Sequence, residues 1–318
     1  MRRVGILHDE RFKLHDTGYG HPEAAWRLDA IDAGLQDAGV LSQAARIDPE
    51  PIDMALLEAR HDRDYIERFR RACREGQRII DVPDSAICPE SYEIALLAAG
   101  GTVEAARRVA SGDIDRAFCA VRPPGHHAEH GHSMGFCMFN NVALAADVAR
   151  NECGLERVLI LDWDIHHGNG TQHAFYSDPT VMYISLHGHP EYLFPGTGFP
   201  EEIGHGEGRG TTLNLPFFPG ATDADYREAF ETRVVPAVRS FEPQMIILST
   251  GFDPHRADPI GSAIAMLSDG MFAEMLRYAL ELAERYAGGR VLSVLEGGYN
   301  PGVLRRCAAE HVRMLAEF

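Results

Sequence analysis

The chain has 318 residues, 45% of them hydrophobic, which is enough to bury a large core in a single α/β domain. A formal net charge of -17 excludes nonspecific nucleic-acid binding, which depends on phosphate neutralisation by Lys and Arg, and favours cationic partners. The apolar runs are too short for a membrane span. The first residues lack a long apolar signal segment, so a first strand and a cytoplasmic location are expected. In chain order, strand-like runs rich in apolar and β-branched residues fall at 4–7, 117–121, 158–161, 181–186, 212–215, 245–249 and 291–295. Helical patterns at 24–38, 92–110, 141–151, 223–240, 269–285 and 301–316 lie between or after them. Such alternation predicts a mostly parallel sheet covered by helices on both faces. The six cysteines, Cys73, Cys88, Cys119, Cys137, Cys153 and Cys307, show no paired spacing and are expected to be reduced thiols.

The connections at 8–23, 76–90, 122–139, 187–211 and 251–268 are longer than simple turns require, and loops of that length usually carry function. The most informative segment is Leu159-Ile-Leu-Asp-Trp-Asp-Ile-His-His-Gly-Asn-Gly170, an apolar strand ending in two carboxylates and an imidazole. On an extended backbone Asp162, Asp164 and His166 alternate to one side, just beyond the strand end where open α/β sheets bind ligands. A divalent metal compensates buried carboxylates of this kind. Other polar clusters close other apolar runs: Arg122-Pro-Pro-Gly-His-His-Ala128, Thr250-Gly-Phe-Asp253 and Glu296-Gly-Gly-Tyr299.

Asp164, His166 and Asp253 form a set of three oxygen and nitrogen ligands with a position open for water and substrate, as a catalytic zinc site needs; iron(II) suits the same ligands. The doublet His126-His127 is expected to divide its roles. If Asp162 receives one imidazole N–H and the neutral Asn169 the other, one ring is held as imidazolium and the other stays available as a base. Gly297 and Gly298 let the backbone turn tightly and present the Tyr299 hydroxyl to an oxyanion. Gly135-Phe136 and Phe194 place aromatics in loops at the same sheet edge, where two of them flanking a metal make a slot for a long, unbranched chain.

Taken together, Arg-Pro-Pro-Gly-His-His-Ala, Gly-Phe-Cys-x-Phe-Asn-Asn at 135–141, Asp-x-Asp-x-His-His-Gly-Asn-Gly, Ser-Leu-His at 185–187, the Asp253 segment and Glu-Gly-Gly-Tyr resemble the zinc-dependent histone deacetylase and acetylpolyamine amidohydrolase superfamily. The resemblance runs in order along nearly the whole chain. It is greatest to the class II branch, through Arg-Pro-Pro before the His pair and Asn169 where class I members carry Asp. It implies the arginase–deacetylase fold, a three-layer αβα domain with about eight strands, spanning 1–318. It also implies one zinc on Asp164, His166 and Asp253, His127 as general base and then acid, His126 as its electrostatic partner held by Asp162, and Tyr299 as the carbonyl clamp. A structural potassium is implied on oxygens of Asp162, Asp164, His166, Ser185 and Leu186, and a second alkali ion near Phe175, Asp178, Val181 and Thr211. The implied tunnel walls are Gly135, Phe136 and Phe194, with Ile260 at a position usually Leu. Arg27 would line an internal cavity behind the metal, and Ser85 would meet the substrate backbone at the rim.

The expected activity is removal of a short acyl group, acetyl above all, from acyl-lysine in peptides or proteins. An acetylpolyamine substrate is the alternative on the same site; acetylpolyamine-selective relatives can carry Glu where this chain has Ile260. A silent acyl-amide binding module should have lost Tyr299 or a metal ligand, and neither is lost. A binuclear manganese ureohydrolase would need a second set of bridging carboxylates. The loops at 8–23 and 187–211 are the candidate subunit interface of a homo-oligomer.

Overall fold

In the computed structural model, which describes residues 2–318, eight parallel strands lie in the order β2-β1-β3-β8-β7-β4-β5-β6. The strands are β1 (Val4–Leu7), β2 (Ala45–Ile47), β3 (Arg116–Cys119), β4 (Val158–Asp162), β5 (Val181–Gly188), β6 (Thr212–Phe217), β7 (Met245–Thr250) and β8 (Val291–Leu295). Every residue of β3, β4, β5, β7 and β8 is buried, as continuous apolar runs require when helices cover both faces of a parallel sheet. One layer contains α1 (Trp26–Ala38), α8 (Val235–Phe241), α9 (Asp269–Tyr286) and α10 (Pro301–Glu317); the other is built on α3 (Arg63–Arg74), α4 (Ser91–Ser111) and α5 (Asn141–Asn151). A second apolar cluster under α3 and α4 includes Tyr65, Phe69, Tyr92 and Phe139.

The sheet class and order of elements follow the sequence reading, with several differences. The edge strand β2 and the helices α2 (Met54–Arg60), α3 and α6 (Asn169–Phe175) are additional. The helix expected over 223–240 is α7 (Asp223–Ala229), a π-helical turn at Phe230–Val234, and then α8. Pro236 has no N–H for a regular helical bond, and the ladder widens just before it, with Val235 N–H donating to Phe230 O. Strand β4 stops at Asp162, so Asp164 and His166 ride on a turn instead of continuing the extended alternation. All six cysteines are free. Among the described residues no helix is long and apolar enough to cross a membrane.

Candidate active site

Four adjacent central strands, β3, β8, β7 and β4, end side by side, and each C-terminal end carries one of the polar clusters. From β4, the chain makes two short side-chain-capped turns: Asp164 N–H donates to Asp162 Oδ1 at 3.1 Å and His166 N–H to Asp164 Oδ1 at 2.9 Å. These turns aim both side chains at the Asp253 carboxylate arriving from β7. Ligand atoms of Asp164, His166 and Asp253 lie within 4.8 Å of one another, with His166 Nδ1 at 3.0 Å from Asp164 Oδ1 and 3.3 Å from Asp253 Oδ2. The close approach depends on glycine: a Cβ on Gly297 would sit 2.3 Å from Asp253 Oδ2, and Gly297 N–H donates to Asp164 Oδ2 at 2.7 Å.

The electrostatics of this trio call for a cation. Burial and the neighbouring Asp164 charge push Asp253 up to about 7, and its Oδ2 is buried without a hydrogen-bond partner. Burial would lower His166, but the Asp164 and Asp253 carboxylates outweigh it and raise the imidazole to about 9. Burial likewise opposes ionisation of Asp164, which His126 and His166 nevertheless hold below the usual carboxylate range. A proton on His166 thus supplies positive charge that a divalent metal would supply better, and the donor set suits zinc or iron(II).

Beside the trio, His126 Nδ1 lies 3.0 Å from Asp162 Oδ2 and His127 Nδ1 2.8 Å from Asn169 Oδ1. Burial disfavours the charged form of both rings. For His126 the carboxylates of Asp162, Asp164 and Glu296 overcome it and push the ring up to about 10. For His127 burial is reinforced by repulsion from His126 and His166, and the ring falls well below its ordinary value. One imidazole is therefore charged and its neighbour, 4.0 Å away between ring centroids, neutral at neutral pH. Asp162 is held in turn by the Tyr183 hydroxyl, which donates to Oδ2 at 3.0 Å.

Tyr299 closes the opposite wall. Its N–H donates to Asp258 Oδ2 at 2.7 Å, and the Arg27 guanidinium lies 5.1 Å from its ring centre. Arg27 is fully buried and holds the loop after β8 by donating to the carbonyls of Gly298 at 2.8 Å and Glu296 at 2.5 Å. A cavity of about 150 Å3 runs between these groups, walled by Gly135, Phe136, Phe194, Ile260, Gly297 and Tyr299, with His126, His127 and His166 at its polar side. Phe136 lies edge-on to Tyr299 at 6.1 Å and Phe194 edge-on to His127 at 5.1 Å. Gly135 has φ +57°, and a Cβ there would fall 2.2 Å from His127 Cδ2, so any other residue would push into the ring.

Some expected positions are placed differently. Ser85 is fully buried and donates to Asp84 Oδ1 at 3.5 Å; Asp84, not Ser85, is part of the cavity wall. Gly298 turns away from the cavity at φ +117°, against Phe252 and Leu304. Of the alkali-ion positions, Asp162 and Ser185 are register partners on β4 and β5, with Leu186 next along β5. Phe175, Asp178 and Thr211 are linked beside the start of β5 at Val181: Asp178 N–H donates to Phe175 O at 3.0 Å and Thr211 Oγ1 to Asp178 O at 3.3 Å. Further participants had no individual role assigned from the sequence. Asp258 anchors the Tyr299 backbone and, through Oδ1, the N–H groups of Ile260 and Gly261; Glu296 accepts from Gly125 N–H; Glu129 accepts from Asn169. Asp258 and Glu129 lie close in sequence to motifs already singled out, and Glu296 opens one of them.

Comparison with known proteins agrees with this geometry. The model of the histone deacetylase domain matches residues 21–315. A probable deacetylase of Archaeoglobus fulgidus is 40% identical over 93% of this chain and 81% of its own length. A histone deacetylase-like amidohydrolase of Pseudomonas aeruginosa is 38% identical over 93% of this chain and 77% of its own. Histone deacetylase 5 of Arabidopsis thaliana is 37% identical over the whole of this chain, which spans 49% of that protein. The solved HDA15 HD domain superposes with a TM-score of 0.92 at 35% identity, over 99% of this chain and 90% of that one. A match across almost the full length, on a sheet whose four central strand ends converge on one buried trio, places the chain in the histone deacetylase family, with the arginase–deacetylase fold.

Proposed function

We propose that the chain is a zinc-dependent amidohydrolase that removes a short acyl group, acetyl above all, from the side-chain amine of acyl-lysine. The observation carrying this reading is a narrow cavity lined together by His127, His166 and Tyr299, with the buried carboxylates of Asp164 and Asp253 directly behind His166. Zinc held by that trio supplies Lewis-acid polarisation of the amide carbonyl and acidifies water at neutral pH. The acyl-lysine methylenes fit between Phe136 and Phe194, which exclude water from the reacting amide. His127 donates Nδ1–H to Asn169, so its Nε2 is free to accept the proton of the attacking water and then return it to the leaving amine nitrogen. The Tyr299 hydroxyl donates to the developing oxyanion, and the charged His126 stabilises negative charge beside it.

Potassium bound by oxygens of Asp162, Asp164, His166, Ser185 and Leu186 would brace the turn carrying two of the zinc ligands. A second alkali ion belongs with Phe175, Asp178, Val181 and Thr211 in this reading. The apolar Ile260 in the wall favours acyl-lysine over an acetylpolyamine, whose additional ammonium groups it cannot pair.

The test is a turnover panel of acetyl-lysine peptides, longer-acyl lysines and acetylpolyamines with zinc-loaded protein and its Tyr299→Phe variant. We expect acetyl-lysine peptides to be turned over fastest, and the variant to lose a factor on the order of 10²–10³ in kcat, as for one missing oxyanion donor. Faster acetylpolyamine turnover, or a variant as active as the parent, overturns the corresponding part of the assignment.

A further inference from the structure

The proton-accepting role of His127 requires the tautomer with hydrogen on Nδ1, and the contacts of Asn169 select it. Asn169 presents Oδ1 to His127 Nδ1 at 2.8 Å, but an amide turned by 180° would present N–H₂ there instead. In that orientation Nδ1 would have to be bare and the hydrogen would sit on Nε2, where it blocks the base. The other end of the amide decides between the two. Asn169 Nδ2 donates to Glu129 Oε1 at 2.5 Å, to the His127 carbonyl at 3.2 Å and towards Met134 Sδ at 3.3 Å, all of them acceptors.

The strongest of these partners is the Glu129 carboxylate, which accepts only. A turned amide would set Asn169 Oδ1 against it, two oxygens with no hydrogen between them. Glu129 is itself fixed: His173 on α6 places Nδ1 at 2.9 Å from both of its oxygens, and its side chain is 13% exposed. Burial opposes its ionisation, but the His173 and Asn169 hydrogen bonds hold it below the usual carboxylate range, so it stays an acceptor at neutral pH.

We propose that Glu129 is a positioning residue whose carboxylate locks the Asn169 amide with its oxygen toward His127, and so selects the Nδ1–H tautomer the reaction needs. The inference builds on the reading of His127 as the base, and two independent readouts keep the fates of the two apart. Gln at position 129 has the same shape but can either donate or accept, so it tolerates both amide orientations. An Asp at position 169 needs no orienting, and beside Glu129 it would face a like charge.

The experiment uses zinc-loaded, full-length protein carrying Glu129→Gln, Asn169→Asp or both, with steady-state kinetics on an acetyl-lysine peptide and 15N spectra of the histidine ring nitrogens. In the parent background, Glu129→Gln should lower kcat about tenfold, part of what a positioned base contributes, with KM within about twofold. The His127 ring should shift from a pure Nδ1–H signature to a mixture of tautomers. In the Asn169→Asp background the same substitution should raise kcat, because it replaces a repelling carboxylate by a donor. A merely structural Glu129 would give loss in both backgrounds, and that result, or an unshifted His127 signature in Glu129→Gln, overturns the proposal. A parent enzyme without amidohydrolase activity would instead sink the functional reading, while the ring signatures alone would still decide the orienting role.

Discussion

At the scale of residues, the site separates two adjacent imidazoles by what each Nδ1 meets. A carboxylate at 3.0 Å holds the His126 ring charged to about pH 10, whereas an amide oxygen at 2.8 Å leaves burial to decide for His127, which stays neutral. In the proposed mechanism His127 must be neutral and His126 charged, so activity should rise on the acid side as His127 loses its proton and fall on the alkaline side as His126 loses its own. Asp162→Asn removes the closest carboxylate raising His126. The sign is then fixed: the imidazolium loses stabilisation, its pKa drops, and the alkaline limb of kcat/KM moves to lower pH. An alkaline limb that stays in place would show that a different group controls it.

At the scale of elements, packing of α1 against α10 depends on a position that sequence pattern does not mark. A Cβ on Gly34 would fall 2.3 Å from the Arg305 carbonyl oxygen, a backbone atom that can move only with its helix. Gly39, the left-handed residue ending α1, has nothing within 4 Å of an added Cβ, and its cost is backbone strain alone. Gly34→Ala should therefore cost about 1–3 kcal/mol in urea unfolding and Gly39→Ala about 1 kcal/mol. Equal losses, or none at Gly34, would mean that the helices separate freely.

The same scale shows what could be read before the structure. Buried strands such as β4 and β7 are continuous apolar runs closed by polar clusters, and the parallel sheet follows from their alternation with helices. The edge strand β2 has three residues, including a charged Arg46, and carries no such signal. Helix α3 is dense in Arg, with Asp64 and Glu67 among them, which obscured the buried stripe of Tyr65, Ile66, Phe69, Ala72 and Cys73. The metal trio was legible because its members lie within one motif and one neighbouring strand end. Asp258, Glu129 and Tyr183 were not, since each acts through a contact between segments distant in the chain.

For the molecule as a whole, charge adds a term that no single contact contains. Asp and Glu number 47 against 30 Lys and Arg, and many of the basic groups are already paired, as Arg305 is with Asp37 and Arg227 with Glu274. The residual field is negative, and the cavity wall adds Asp84 to it. A cationic acyl-lysine peptide should be drawn in by this field and a neutral one of equal length should not. The screening length shrinks from about 30 Å at 0.01 M salt to about 10 Å at 0.1 M, so the attraction reaches well beyond the cavity only at low salt. Raising salt across that range should therefore lower kcat/KM for the cationic peptide severalfold, through KM and with kcat held, while the neutral peptide changes little. Parallel losses for both peptides would indicate a salt effect on the enzyme itself, and a flat response for both would show that the acidic surface does not guide the substrate.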